Sequence, residues 1–308
     1  MPDSEFALIQ DYFTGGGEGP AVRLGIGDDA AALAVPEGHV LQISTDTAVE
    51  GVHFLATLSP TEVAYRSVMV AASDLAAMGA SPLACLLSLT LPESEPNWLQ
   101  AFSSGLSEAC EQTGLSLVGG DTTRGPLSIT VTVMGATPAR QFMTRSGAQP
   151  DDRLCVSGHL GDAAAGLAIS KGELTVEDAR NQGLLMDRYE RPTARLMLGQ
   201  TLRDCATACI DISDGLLADA GHVAAASGVA IHIDSASLPL SEALRASVPL
   251  SLAQDWALAG GDDYELLFTL PNDMPVPEGC SEIGRVHVGS GISCDRTPEG
   301  MGYDHFAR

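Results

Sequence analysis

Basic charge is scarce in this 308-residue sequence. Sixteen lysines and arginines stand against 40 aspartates and glutamates, for a formal charge of −24, and Lys171 is the only lysine. So acidic a chain is a poor partner for nucleic acid or an anionic membrane. With its one lysine in Ile169-Ser170-Lys171-Gly172, it has neither the Gly-Lys-Ser/Thr phosphate loop nor a protein-kinase strand lysine. The seven cysteines, at 85, 110, 155, 205, 209, 280 and 294, form no C-x-x-C pair or zinc spacing and read as reduced, mostly buried thiols. No G-x-S-x-G elbow is present and the histidines follow no pattern, which leaves a nucleophilic triad without support. The most apolar stretch, Val68 to Leu91, is broken by Ser73, Asp74, Gly79, Ser81 and Pro82, against a membrane-spanning helix. The opening MPDSEF has no basic region followed by an apolar one, so no signal peptide and a cytoplasmic location are expected.

What is present is the make-up of a folded protein: 45% hydrophobic residues and a mean hydropathy of +0.13. The length favours two domains. Runs rich in Val, Ile and Leu alternate with Ala-rich helical segments, the pattern of an α/β protein. Strands are predicted at Val40–Ser44, Ala84–Leu91, Leu115–Val118, Ser128–Gly135, Leu154–Ser157, Ile231–Ile233 and Glu265–Leu270. Ser59-Pro60-Thr61-Glu62 is a capping box with proline at the first helical position, and predicts a helix to about Met78, stopped by Gly79. Its inward stripe is predicted as Val63, Ser67, Val70, Ala71, Asp74, Leu75 and Met78. After Ala136 the apolar periodicity gives way to Pro, Gly, Arg and Asp, so the domains are divided near Thr137, as 1–137 and 138–308.

Four places in the first half set aspartate at the end of an apolar or glycine-rich run: Gly25-Ile26-Gly27-Asp28-Asp29, Ile43-Ser44-Thr45-Asp46, Asp74, and Val118-Gly119-Gly120-Asp121. Each alone reads as a turn or a helix cap. Asp74 is the exception, because a carboxylate in a helix's inward stripe is costly without a cation or donors. Converging carboxylates repel one another unless a cation sits among them, and with so few basic residues a metal is implied. Oxygen donors of the Asp, Ser and Thr type suit Mg²⁺, which is commonly completed by substrate phosphates. The second half adds Ile210-Asp211-Ile212-Ser213-Asp214-Gly215-Leu216 and Gly260-Gly261-Asp262-Asp263-Tyr264-Glu265-Leu266, whose spacing is not that of an EF-hand. Gly119-Gly120 and Arg145 are the donors best placed in sequence for a polyphosphate. His53, close after Asp46, is a candidate substrate contact.

The ordered segments GIGDDAA, STDTAVEGVHF, AYRSVMVAASDLAAMGASP, GGDTTRG, ISDGLLAD, GGDDYELLF and GYDHF resemble the thiamine-monophosphate kinase family. That family belongs to the superfamily of aminoimidazole ribonucleotide synthetase and selenophosphate synthetase. The resemblance implies ATP-dependent phosphorylation of thiamine phosphate, with several Mg²⁺ ions among the aspartates. Matched by position, Asp29, Ser44, Thr45, Asp46, Asp74, Asp121, Asp211 and Asp214 look like metal ligands. Gly120, Asp121, Arg145 and Ser213 look like ATP contacts, and His53, Asp262 and Tyr303 or Phe306 like thiamine phosphate contacts. The implied fold is two α/β domains, the first pairing its sheet across a homodimer. Asp262 stands where many relatives carry glutamate, and Asp151 where the linker turn often has glycine.

Two other readings stand beside this one. A synthetase of the same superfamily is one, although the reactive Cys and Lys of selenophosphate synthetase are absent near Gly15-Gly16-Gly17. A non-catalytic acidic protein that binds metal or nucleotide is the other.

Overall fold

A computed structural model describes residues 5–14, 18–298 and 302. The chain forms two compact units, one of Met1–Leu75 with Ala80–Phe142 and one of Ala76–Gly79 with Met143–Arg308. Thr137, where the composition changes, lies within the last strand of the first unit.

The first unit runs α1 (Glu5–Tyr12), β1 (Val22–Leu24), β2 (Ala32–Leu33), β3 (His39–Val49), α2 (Pro60–Ala77), β4 (Ser81–Leu91), α3 (Pro96–Thr113), β5 (Ser116–Arg124) and β6 (Ser128–Pro138). β1 and β2 pair with each other, and the other four strands form a sheet in the order β3-β6-β4-β5. Only β4 and β5 are parallel, with α3 as their crossover. The serine half of the capping box predicted before α2 is present: the Glu62 N–H donates to Ser59 Oγ at 3.3 Å. The helix closes as predicted at Gly79, with Gly79 N–H to Ala76 O at 2.9 Å and Ala80 N–H to Leu75 O at 2.8 Å, the paired bonds of a Schellman end.

The predicted inward stripe of α2 needs correcting. Val63, Ser67, Ala71 and Leu75 are buried, but so are Ala64, Val68, Ala72 and Ala76 on the other sides. Val70, Asp74 and Met78, spaced four apart, form the one less buried line. A helix covered nearly all round leaves its polar site on the remaining face, so Asp74 is half-buried rather than in the core.

β3 alternates strictly: Gln42, Ser44, Asp46 and Ala48 are half-buried, while Leu41, Ile43, Thr45 and Thr47 are exposed. Ser44 pairs with buried Val133 and Asp46 with buried Val131, on the helix-covered face. The opposite face is open and carries Leu41, Ile43 and a row of threonines.

The second unit runs β7 (Arg153–Ser157), α4 (Asp162–Ser170), α5 (Ala179–Glu190), α6 (Leu196–Leu202), β8 (Ala208–Asp211), α7 (Leu216–Ser227), β9 (Ala230–Ile233), α8 (Glu242–Ser247), α9 (Leu250–Ala259), β10 (Leu266–Leu270), β11 (Cys280–His287) and β12 (Gly291–Cys294). Its sheet has the order β12-β9-β11-β7-β10-β8. Leu154, Val156, Ile210, Leu267, Ile231 and Ile283 of the strands pack with Leu216, Ala220, Val223 and Leu258 of the helices in one apolar core. Asp151, in the turn before β7, has a φ of 75°, a left-handed conformation that aspartate tolerates. Among the described residues no helix is long and apolar enough to cross a membrane.

Candidate active site

In the first unit the site begins with β3 and α2. Ser44 and Asp46 leave the same face of β3, and Asp74 comes from α2 above them. Ser44 Oγ donates to Asp74 Oδ2 at 2.5 Å. Burial, then the Asp74 charge and a hydrogen bond between the two side chains, push Asp46 up to about 6. Among the described residues neither carboxylate has a basic partner. Two contacting carboxylates, a serine hydroxyl and no cation make an oxygen-only donor set of the kind that holds Mg²⁺.

The remaining first-unit positions come from other strands and turns, or from the other face of β3. The Thr45 hydroxyl turns to the open face and pairs with Thr132 at 2.9 Å, so only its backbone stays beside Ser44 and Asp46. Asp121 of β5 is opposite Ser88, which is opposite Thr130, itself opposite Thr47. By strand alternation Asp121 therefore shares the open face with Thr45 and Thr47 rather than the face of Asp46. Asp29 is exposed between β1 and β2, where its own N–H donates to the Asp28 carboxylate at 2.8 Å. Gly120 has a φ of 155°, and a Cβ there would collide with the Leu87 carbonyl, so β5 runs flush against β4 just before Asp121. His53 is held by the turn after β3: its Nδ1 accepts the Val49 N–H at 3.0 Å, which places the ring proton on Nε2.

In the second unit two motifs are bonded to each other. β8 pairs with β10, Asp211 opposite Leu266, and the ladder continues beyond both strands. The Ile212 N–H donates to Glu265 O, the Tyr264 N–H to Ile212 O and the Asp262 N–H to Ser213 O, each at 2.8 Å. Asp211 is buried, and Ser213 and Asp214 are half-buried in the turn that leads into α7. Asp214, Asp219 and His222 bring ligand atoms within 4.8 Å of one another. Arg145, before β7, has an exposed side chain with no ion pair among the described residues, while its carbonyl accepts from Ser227 Oγ at 3.2 Å.

The acidic segment 262–265 separates by direction. Asp262 is half-buried and accepts from the Tyr264 hydroxyl at 3.0 Å. Asp262 and Tyr264 have φ of 61° and 49°, left-handed values that cost energy at non-glycine residues and gather at functional sites. Asp263 points inward, where both carboxylate oxygens meet the Gly161 N–H, at 3.0 and 3.1 Å, at the start of α4. Burial pushes its carboxyl well up. Glu265 is fully buried, accepting from Ser157 Oγ at 2.5 Å, Arg188 Nη2 at 2.9 Å and Arg195 Nε at 2.7 Å. No sequence motif assigns a role to Glu265, Arg188, Arg195 or Asp219. The last lies within the quoted ISDGLLAD segment, but its partners are backbone amides that no side-chain pattern reveals. Tyr303 and Phe306 lie outside the described residues.

Known proteins match along the whole chain. Residues 27–137 fit the family model "AIR synthase related protein, N-terminal domain" and 149–290 its C-terminal counterpart. The thiamine-monophosphate kinase of Escherichia coli K12 is 44% identical over 326 residues, spanning 100% of this chain and 99% of that protein. The crystal structure of thiamine-monophosphate kinase from Stenotrophomonas maltophilia K279a superposes with a TM-score of 0.85 at 43% identity, covering 90% of this chain and 92% of that one. A structure described as AaThiL complexed with AMPPCP and TMP gives a TM-score of 0.81 at 36% identity, covering 98% and 97%. In sequence, in both domains and in fold, the chain belongs to the thiamine-monophosphate kinase family.

Proposed function

We propose that this enzyme transfers the γ-phosphate of ATP to thiamine phosphate, an acceptor phosphate oxygen attacking the γ-phosphorus in line to give thiamine diphosphate and ADP. The observation that carries the reading is the cluster of Asp46, Ser44 and Asp74, with Ser44 Oγ bonded to Asp74, the Asp74 charge acting on Asp46, and no basic partner among the described residues. Such a pair is strained alone and relieved by a divalent cation. Support for the substrates comes from the relatives named for this activity and from the related structure described with AMPPCP and TMP.

Ser44, Asp46 and Asp74 are the first metal ligands in this account. Asp29, Thr45, Asp121, Asp211 and Asp214 are added by their match to the family motifs alone, the Thr45 and Asp121 side chains lying on the other face of the sheet from Asp46. Bound Mg²⁺ would offset the repulsion between the two phosphate-bearing substrates. Gly120, Asp121, Arg145 and Ser213 are assigned to the nucleotide, with the exposed Arg145 guanidinium as its cationic contact. His53 offers its Nε2–H to the acceptor, and Asp262 contacts the same substrate. No protein base is required, because a phosphate monoester has a second pKa of about 6 and is largely dianionic at neutral pH. The residues act by holding and orienting the two substrates.

A cytoplasmic homodimer belongs to the same reading. Leu41 is 39% and Ile43 62% exposed on the open face of the first sheet, apolar surface suited to a second copy of that face. Asp46→Asn and Asp121→Asn tests the function. Both variants should fold and lose turnover by orders of magnitude at saturating Mg²⁺, and near-normal turnover in either sinks its assignment.

A further inference from the structure

Asp219 lies in the first turn of α7 and is 2% exposed. A carboxylate so deep needs donors, and here they are backbone amides. Its Oδ2 accepts the N–H groups of Ser213 at 3.1 Å, Asp214 at 3.2 Å and Gly215 at 3.2 Å. Three consecutive amides around one oxygen define the path of the turn between β8 and α7. Gly215 completes that path with a φ of 121°, where a Cβ would press on the Ala259 backbone at 3.1 Å. The Ser213 carbonyl, in the same turn, accepts the Asp262 N–H at 2.8 Å. One buried carboxylate thus holds the turn bearing Ser213 and Asp214, and that turn holds the backbone of Asp262.

We propose that Asp219 is a positioning residue for phosphoryl transfer, fixing the Ser213-Asp214-Gly215 turn and, through the Ser213 carbonyl, the placement of Asp262. This rests on the reading above of Ser213 and Asp214 as nucleotide and metal contacts and of Asp262 as an acceptor contact. Asp219 touches neither substrate in this account. It acts through the backbone it holds, so its loss is felt at both substrates.

The test is steady-state kinetics of the full chain with Asp219→Ala and Asp219→Asn, varying MgATP and thiamine phosphate independently, with thermal melts alongside. Asparagine keeps an oxygen of the same reach. Asp219→Ala is expected to raise both Michaelis constants by about tenfold or more, the scale of a misplaced binding group, and Asp219→Asn to bring them back within about threefold of the wild type. A lower melting temperature with both Michaelis constants unchanged is the behaviour of a purely structural cap and overturns the proposal. Should Asp219→Ala not fold, Asp219→Glu carries the test: its extra methylene displaces the turn and should raise both constants, and unchanged constants overturn the proposal. Ser213→Ala and Asp214→Asn are measured in parallel. If these two raise the constant for MgATP and the Asp219 variants do not, the positioning role alone fails. If neither raises it, the assignment of the turn fails first.

Discussion

Asp46→Asn should make the metal-free protein more stable at neutral pH while removing its activity. Burial and the neighbouring Asp74 raise Asp46 from 3.8 to about 6. A shift of roughly 2 units at 1.36 kcal/mol each sets an upper value of about 3 kcal/mol by which ionised Asp46 destabilises the fold. The sign follows from proton binding. Between pH 3.8 and 6 the folded state holds the proton more tightly than the unfolded one, so the penalty is full above pH 6 and fades as the pH falls toward 4. The amide removes the charge but still loses some hydration, leaving an expected gain of about 1–2 kcal/mol at pH 7.5, or roughly 2–8 °C in Tm. Thermal melts in EDTA at pH 7.5 and pH 4.5 measure it, with the two proteins converging at the lower pH. Mg²⁺ should then stabilise the wild type and have much less effect on the variant. A variant that is less stable than the wild type at pH 7.5, by a margin unaffected by pH, would refute the reasoning.

Other perturbations probe other parts of the structure. Glu265→Ala leaves Arg188, Arg195 and Ser157 without their buried acceptor, and should cost about 3–5 kcal/mol in denaturant unfolding; a loss below about 1 kcal/mol would show that the cluster does not hold the 262–265 segment. Gly120→Ala drives a Cβ into the Leu87 carbonyl and should lower Tm and turnover together, whereas unchanged melts would show that β5 can move away from β4. Arg145→Ala, at an exposed side chain, should leave stability within about 0.5 kcal/mol and raise the Michaelis constant for ATP; an unchanged constant removes Arg145 from the nucleotide site.

Sequence patterns revealed the features that depend on nearby residues. Ser59 to Glu62 announces α2 because capping is local, and the predicted strand runs reappear as cores of β3, β4, β5, β6, β7, β9 and β10. The short strands β1, β2 and β8 are not among those predicted, and neither are β11 and β12, since Cys280–His287 and Gly291–Cys294 are mixed and glycine-bearing rather than strongly apolar. Within the site, STD could be picked out as a motif, but Ser44 and Asp46 share a face and the Thr45 hydroxyl does not, a consequence of strand alternation. Asp121 is separated from Asp46 by the register of four strands, which no single segment encodes. Glu265 meets Arg188 and Arg195 only after β10 and the ends of α5 and α6 have packed. Asp151 and Asp262, where the resemblance leads one to expect other residues, both fall at positive φ, which aspartate tolerates better than most residues.

The measurement that bears most directly on the central claim is ADP release by the purified chain, followed with ATP, Mg²⁺ and thiamine phosphate each omitted in turn. ADP should form only when all three are present, in step with thiamine diphosphate detected by mass spectrometry. ADP formation that ignores thiamine phosphate, or binding of both substrates with no turnover, would contradict the account.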